Sequence, residues 1–502
     1  MDSVEKQDMN NSGWITLIIL SCLGLIVMFD ETMILPAIPD FIRNFNISYS
    51  TSSWLLSAYI IGAAVMTPIG GKLSDIYGKK KILLIIMVVY AVGILAGRFA
   101  TNIEFMLAAR VAQGVGMAMF PIAFGIIREI TPEKKFSISQ TIFGSTFPGG
   151  SVIGLVGGAA IIQNFGWKAT FLAILPVAIA LWLLILRFVK IHNPAIAASS
   201  SSSAAEIGIE SSRGNPSIDR TIDIKGTLVL ATTIITFLAG ITLIESNSGN
   251  SEYLIAGLFA LSAISLAAFI VIEKKVRSPL LDLKLMANKN FLFPTIILML
   301  TFLSIFTVYL TVPIMVRSPQ PLGFGGDALS VASVQLPFMI VFLIGTVMSG
   351  FILNKIKNTR LTLIGTLISA IGFIVLLLFH STETMLSLGL TILSAGLSLS
   401  ITGAFNVILL SVPMQMTGIA LGMTLLLNLV GMSVGPVVSG VLQQTYQGTV
   451  PGVPGVFPTE DAYNLIFITA ALVSLASVGM ALFVTRTRIG ASTITREHIG
   501  PM

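Results

Sequence analysis

Charge is what this 502-residue chain has least of: Asp, Glu, Lys and Arg make up 10% of it. A soluble globular protein carries roughly 25%. So few charges do not cover a water-facing surface, which excludes a soluble enzyme, a nucleic-acid-binding protein and a disordered scaffold. There is one cysteine, Cys22, so an internal disulfide and a cysteine-rich metal site are excluded. Cys22 lies in an apolar run and reads as a small buried hydrophobe. Only three histidines occur, His192, His380 and His498, all in loops or at span ends. No Walker loop, metal-ligand cluster or nucleophile–base pairing stands out, so an ATP-driven pump or a membrane hydrolase lacks its parts. No metal or other cofactor is expected, and the chain does not read as an enzyme.

What is abundant is apolar length. The chain is 54% hydrophobic. A membrane-spanning helix needs about 20 mostly apolar residues to cross a core about 30 Å thick. Such runs lie near 14–38, 51–73, 82–99, 104–128, 138–162 and 168–188, then 225–246 and 251–272. Six more lie near 291–316, 328–352, 361–380, 384–410, 415–442 and 464–485, making fourteen. The first run is too long for a signal peptide and continues into a motif described below.

The net charge of +6 is explained by placement rather than by an acidic partner. Most of the 29 Lys and Arg fall in loops on the side of the N-terminus, among them Lys72, Lys79, Lys80, Lys81, Lys274, Lys275 and Arg360. Arg43, Lys168 and Arg317 fall on the other side, and Arg98 and Arg110 lie within spans. This asymmetry predicts that both termini are cytoplasmic.

The domains expected are a six-helix bundle over 1–188, a serine-rich cytoplasmic linker over 189–224 and two inserted helices over 225–272. A cytoplasmic loop over 273–290, a second six-helix bundle over 291–486 and a cytoplasmic tail over 487–502 complete the chain. Two pairs of similar segments suggest a duplication. Gly71-Lys-Leu-Ser-Asp75 after span two matches Gly350-Phe-Ile-Leu-Asn354 after span ten. Gly149, Gly154, Gly157 and Gly158 in span five match Gly431, Gly435, Pro436, Ser439 and Gly440 in span thirteen. The shared offset points to parallel halves around a midplane cavity. Loop 443–463, rich in Gly and Pro, reads as a turn-rich cap or a mobile loop.

Within the spans, Asp30 and Glu31 sit past the midpoint of the first, and Arg110 sits near the far end of the fourth. Counted at 1.5 Å per residue, Asp30 and Arg110 lie on the order of 10 Å below the outer surface. They can therefore pair. Arg110, Gln113, Gly114 and Met117 share one helix face. A carboxylate inside a membrane helix is costly and a functional candidate by default. Burial favours its neutral form and a nearby guanidinium its charged form, so a group released from one to the other binds and drops a proton. A permanent structural ion pair is the equal alternative. Glu31 points about 100° away from Asp30 around the helix and is not expected on the same cavity wall.

Further polar candidates for a cavity wall are Thr32, Gln335, Asn406 and Asn428, although bonding to a neighbouring helix is the commoner use of such residues. Trp54, Tyr59, Phe306, Tyr309, Phe338 and Phe405 are candidates for an apolar pocket. The loop Gly71-Lys-Leu-Ser-Asp75-Ile-Tyr-Gly78-Lys79-Lys80-Lys81 can hold one conformation shut through Asp75, or simply anchor the helix; spacing alone favours the anchor.

Gly71 to Lys80 resembles the signature G-x-L-x-D-x-x-G-[RK]-[RK] of the major facilitator superfamily. Leu107-Ala-Ala-Arg110-Val-Ala-Gln113-Gly114-Val-Gly116 resembles its span-four signature L-x-x-R-x-x-Q-G-x-G. Asp30-Glu-Thr32-Met-Ile-Leu-Pro-Ala-Ile-Pro39 resembles D-x-T-x-x-x-x-A-x-P of the fourteen-span drug:proton antiporters, and Trp54 and Tyr59 fit as well. The resemblance covers nearly the whole chain. It implies an all-α membrane protein: the major facilitator fold of two six-helix bundles plus two extra central helices.

The implied activity is proton-driven export of hydrophobic or amphipathic small molecules by alternating access. Asp30 and Arg110 are implied in substrate or proton handling and Asp75 in gating. In span five the family's G-x-x-x-G-P-x-x-G-G is replaced by Gly149-Gly-Ser-Val-Ile153-Gly154-Leu-Val-Gly157-Gly158, which weakens antiport specifically. Span thirteen instead carries Gly435-Pro436. Symport of one physiological solute or lipid is the alternative transport reading; a non-transporting sensor or scaffold finds no folded signalling domain in the linker. The expected partners are a small-molecule substrate, protons and the lipid bilayer of the plasma membrane, with no nucleic acid and with the chain acting as a monomer.

Overall fold

In hydrocarbon every backbone N–H and C=O must be bonded within the protein, and a helix does this within its own segment. The computed structural model describes residues 11–189, 224–243, 251–276, 283–352, 356–412 and 417–486. Among these residues, fourteen helices are long and apolar enough to cross a membrane. Spans one to six are Asn11–Phe45, Tyr49–Tyr77, Lys79–Arg98, Ile103–Ile130, Ile138–Phe165 and Lys168–Phe188. Spans seven and eight are Lys225–Leu243 and Glu252–Lys275. Spans nine to fourteen are Lys289–Arg317, Ala328–Ile352, Asn358–Leu378, Glu383–Ser411, Ala420–Thr445 and Glu460–Thr485. The expected linker lies almost wholly outside the described residues, as do the C-terminal tail, His192 and His498.

The two sets of six helices pack by one scheme. Span one packs on five and six, two on four, and three on four and six. In the second set nine packs on thirteen and fourteen, ten on twelve, and eleven on twelve and fourteen. Between the sets, five meets ten and two meets thirteen. Span seven packs on eight and rests beside the seam of two and thirteen, where Trp54 Nε1 donates to Thr242 Oγ1 at 3.1 Å. This is the all-α major facilitator architecture expected, with the two extra helices beside the bundles.

Two spans tighten to a 3-10 turn partway along. Span one is helical over Asn11–Met33, tightens to a 3-10 turn at Leu35–Ala37 and resumes at Ile38–Phe45. Span four is helical over Ile103–Gly114, tightens at Val115–Ala118 and resumes at Met119–Ile130. Proline explains both: it lacks an N–H and its ring collides with the carbonyl four residues back. Pro36 and Pro39 act in the first case and Pro121 in the second.

The face carrying the basic loops is called here the basic face. On the opposite face the loop read as a turn-rich cap or a mobile loop holds a hairpin, β1 Gln447–Val450 paired antiparallel with β2 Val453–Pro458. Three readings are corrected. Cys22 is exposed on the helix surface, not buried. Phe405 is also exposed, at 39%, so it is not enclosed in an apolar pocket in this conformation. In span five the residues in closest contact with span one are Gly150, Gly154 and Gly158, whereas Gly149 and Gly157 stand at the edge of the contact. A Cβ would lie 2.7 Å from the Leu25 carbonyl oxygen at Gly150, 2.6 Å from that of Phe29 at Gly154, and 2.6 Å from Met33 Cα at Gly158. Span thirteen repeats the arrangement, with Gly431 against the Met299 carbonyl and Gly435 against that of Leu303.

Candidate functional site

The breaks in spans one and four stand beside two buried charges, Asp30 and Arg110. Asp30 stands in the last turn before the first break, and Arg110 in the turn before the second. Both are 0% exposed. Arg110 Nη1 lies 3.8 Å from Asp30 Oδ2, longer than the 2.7–2.9 Å of a charge-assisted hydrogen bond. The guanidinium is held by other groups. Its Nη1 donates to Gln113 Oε1 at 2.7 Å and its Nε to the Leu55 carbonyl at 3.0 Å. Its Cζ lies 4.4 Å from the centroid of the Tyr59 ring, a cation–π distance. Gln113 Nε2 in turn donates to the Gly93 carbonyl at 2.9 Å, which ties span four to span three.

Asp30 is held much less. Among the described residues neither of its carboxylate oxygens has a hydrogen-bond partner, and neither does Arg110 Nη2. An unpaired buried carboxylate is one of the costliest groups a fold can carry. Taking the proton removes that cost; drawing in the guanidinium removes it another way. The two charges therefore form an ion pair at 3.8 Å that is not closed by a hydrogen bond.

Glu31 is 3% exposed and its Oε1 also has no partner. Both acids lie within electrostatic reach of Tyr59 and Arg110; Asp30 also reaches Tyr90, and Glu31 also reaches Tyr309 of the other bundle. The Tyr309 ring neighbours Phe306 at 5.2 Å and Phe338 at 6.3 Å. Gln335, one turn from Phe338, is 1% exposed with an unpartnered Oε1.

Other predicted lining residues stand elsewhere. Thr32 Oγ1 donates to the carbonyls of Met28 and Ser151, both at 3.0 Å, so it belongs to the seam of spans one and five. Trp54 faces span seven. Asn406 donates to the Thr402 carbonyl of its own helix at 2.8 Å. Asn428, 7% exposed with a free Oδ1, shares a helix face with Gly431 and Gly435 and so faces span nine.

The loop motif lies at the basic face. Gly78 takes φ 98°, a conformation that favours glycine, and lets span three begin at once after span two. Asp75 Oδ1 is 3.8 Å from Lys79 Nζ and its side chain is 56% exposed. Lys79 makes its closer bond to Glu129 of span four, and its stem lies over Gly125. Lys80 Nζ donates to the Leu186 carbonyl at 2.9 Å. At Gly71 no atom of the described residues lies within 4 Å of an added Cβ, so no neighbouring helix packs closely against it in this conformation. Glu129 was missed from sequence; an acid at the basic end of span four, opposite a run of lysines, was the available signal. Among the described residues no three His, Cys, Asp or Glu side chains gather to hold a metal ion.

A family model described as Major Facilitator Superfamily matches residues 20–436. The chain is 25% identical over 356 residues to Multidrug resistance protein 3 of Bacillus subtilis (strain 168), covering 70% of this chain and 64% of that protein. It thus spans just under two-thirds of that relative's length. It is 26% identical over 412 residues to the multidrug efflux pump LfrA of Mycolicibacterium smegmatis, covering 81% of this chain and 76% of that one. Among solved structures it resembles a bacterial homolog of the human lysosomal transporter Spinster in an inward-facing, unoccupied conformation. The TM-score is 0.68 at 13% identity, over 95% of this chain and 98% of that one.

Proposed function

The chain belongs to the Major Facilitator Superfamily, and from that premise we propose that it exports hydrophobic or amphipathic small molecules in exchange for protons by alternating access. The observation that carries this reading is the loosely held pair of Asp30 and Arg110, both fully buried and 3.8 Å apart. With a proton on Asp30, the neutral acid sits in its apolar surroundings without a counter-ion, and Arg110 rests on Gln113, Leu55 and Tyr59. When the proton leaves, the carboxylate attracts the guanidinium across the remaining gap, and the helices carrying them are drawn together. Proton binding and helix position are thereby linked, as an exchanger requires.

The substrate side of the reading rests on the aromatic cluster of Phe306, Tyr309 and Phe338 in spans nine and ten, of which Tyr309 lies within electrostatic reach of Glu31. The relatives named for multidrug resistance and efflux support an amphipathic cargo. The basic loops support an orientation with both termini in the cytoplasm of a plasma-membrane protein, and the chain is proposed to work as a monomer. The six-helix units at 1–188 and 291–486, joined through the linker and the inserted helices, are the moving halves.

The test is export from vesicles with an imposed pH gradient. Asp30→Asn is expected to abolish gradient-driven export while leaving the protein folded and the substrate bound. Unchanged gradient-driven export in that variant would remove Asp30 from the mechanism.

A further inference from the structure

On the face opposite the basic loops, the two bundles are tied by one carboxylate with two cationic partners. Arg317, at the end of span nine, makes a two-pronged bond to Asp40 of span one: Nη1 to Oδ2 at 2.7 Å and Nη2 to Oδ1 at 2.9 Å. Arg317 Nη1 also donates to the Pro36 carbonyl at 2.8 Å. These side chains are only 13% and 16% exposed, which limits screening by water. Arg43, on the same short helix as Asp40, donates from Nη2 to the same Oδ1 at 2.5 Å and is 70% exposed. Nearby, the Tyr49 N–H donates to Gln444 Oε1 at 2.8 Å, and the Tyr49 hydroxyl donates to the Val456 carbonyl of the hairpin at 3.1 Å.

We propose that Asp40 is the shared anchor of a releasable latch across this face: Arg317 holds it while the face is closed, and Arg43 keeps it paired once Arg317 has left. The reasoning is electrostatic. Opening the face separates span one from span nine and so separates Asp40 from Arg317. Leaving a partly buried carboxylate alone is the main cost of breaking such a pair. Arg43 travels with Asp40, three residues along one helix, so that cost is largely avoided. It also adds a second positive charge beside Arg317 in the closed state, which weakens the closed bond. The arginines therefore act in opposite directions on one equilibrium. Arg317 sets how firmly the face shuts, and Arg43 sets how easily it opens. The hairpin tie through Tyr49 carries no charge and is indifferent to this exchange.

The proposal rests on the alternating-access reading, and its test reads conformation rather than export, so the two fail separately. Spin labels are attached at Thr101→Cys and Ser381→Cys, exposed positions on this face of the two bundles, in the full chain with Cys22→Ser. Distances are measured in lipid nanodiscs without substrate or gradient. Arg317→Ala is expected to raise the ratio of long-distance to short-distance population about tenfold, and Asp40→Asn to move it the same way. Arg317→Lys, which keeps the charge and loses the two-pronged geometry, is expected between these and the parent. Arg43→Ala is expected to lower the ratio by several-fold. An unchanged distribution in both Arg317→Ala and Asp40→Asn overturns the latch. A shift of Arg43→Ala in the same direction as Arg317→Ala overturns the exchange and leaves both arginines as passive ties.

Discussion

Substituting alanine along span five separates the glycines that set the position of Asp30 from those that merely accompany them. At Gly154 the added Cβ would sit 2.6 Å from the Phe29 carbonyl oxygen and closer still to Thr32 Oγ1. That is about 1 Å short of an ordinary van der Waals contact, and backbone cannot turn aside as a side chain can. Span one must therefore move by a comparable distance, and residues 29 and 32 flank Asp30. Overpacking of this kind costs about 1–3 kcal/mol. At Gly157 the nearest atoms are Cε2 and Cζ of the Phe29 ring, 3.2 and 3.6 Å away, which can shift. At Gly149 the nearest is Leu25 Cδ2 at 3.6 Å, an ordinary contact. Gly154→Ala is thus expected to lower the thermal midpoint in detergent and to cut gradient-driven export by an order of magnitude. Gly157→Ala should change both slightly and Gly149→Ala neither. Fluorescence-detected melting and vesicle export, run in parallel, give both readouts. If Gly149→Ala and Gly154→Ala behaved alike, the seam would not be what positions Asp30.

Three other outcomes follow from the site. Arg110→Lys keeps a positive charge but loses the bond from Nε to Leu55 and the planar stack on Tyr59, so export should fall at least tenfold with expression intact; near-normal export would show that charge alone suffices. Asp75→Asn should leave substrate affinity nearly unchanged and slow turnover, because Asp75 is half exposed and its only close ion pair is a loose one with Lys79; equal loss of both would mean that it contacts the binding site. Tyr90→Phe removes a long bond of 3.3 Å to the Ile26 carbonyl and should cost under about 1 kcal/mol in melting experiments. Gly114→Ala drives a Cβ into the Tyr59 carbonyl and should block folding, and comparable midpoints for these two variants would contradict the contrast.

The span count and the residues of the buried charge pair were legible because both follow from composition along the chain. Fourteen apolar runs need no partner to be recognised, and an acid or guanidinium within one stands out against its neighbours. What was not legible depends on which way a helix turns toward its neighbours. Gly149 and Gly150 are equivalent as sequence, yet only the i, i+4, i+8 set of Gly150, Gly154 and Gly158 meets the backbone of span one, and that spacing was the signal overlooked. Cys22, Phe405 and Thr32 were misplaced for the same reason: an apolar run looks alike on its lipid-facing and bundle-facing sides. The Asp40–Arg317 tie joins residues far apart in sequence, and no local pattern announces it. The prolines of the two broken spans were visible, but a proline can kink a helix or end it. Only the tightened turns at Leu35–Ala37 and Val115–Ala118 show how the chain resolves that choice.

The contacts around Asp30 sort by tightness, and the sorting says which parts move together. Spans one and five meet backbone to backbone through Gly150, Gly154 and Gly158. Spans two and four do the same, with Gly62 against the Val111 carbonyl and Gly114 against that of Tyr59. Between these two pairs the polar contacts are long: Tyr59 to the Val27 carbonyl at 3.4 Å, and Asp30 to Arg110 at 3.8 Å. Tyr90 of span three reaches the Ile26 carbonyl at 3.3 Å and is no tighter. Close backbone seams resist sliding because any shift makes a carbonyl collide with a neighbour, whereas a contact already at 3.4–3.8 Å loses little by lengthening. The pair of spans one and five therefore moves as a body against the pair of two and four, and the quantity that changes most with that motion is the gap between acid and guanidinium. On the proposed reading, a proton on Asp30 weakens the attraction across that gap without disturbing either seam, and a single titration at the centre of the bundle thereby reaches the helices around it.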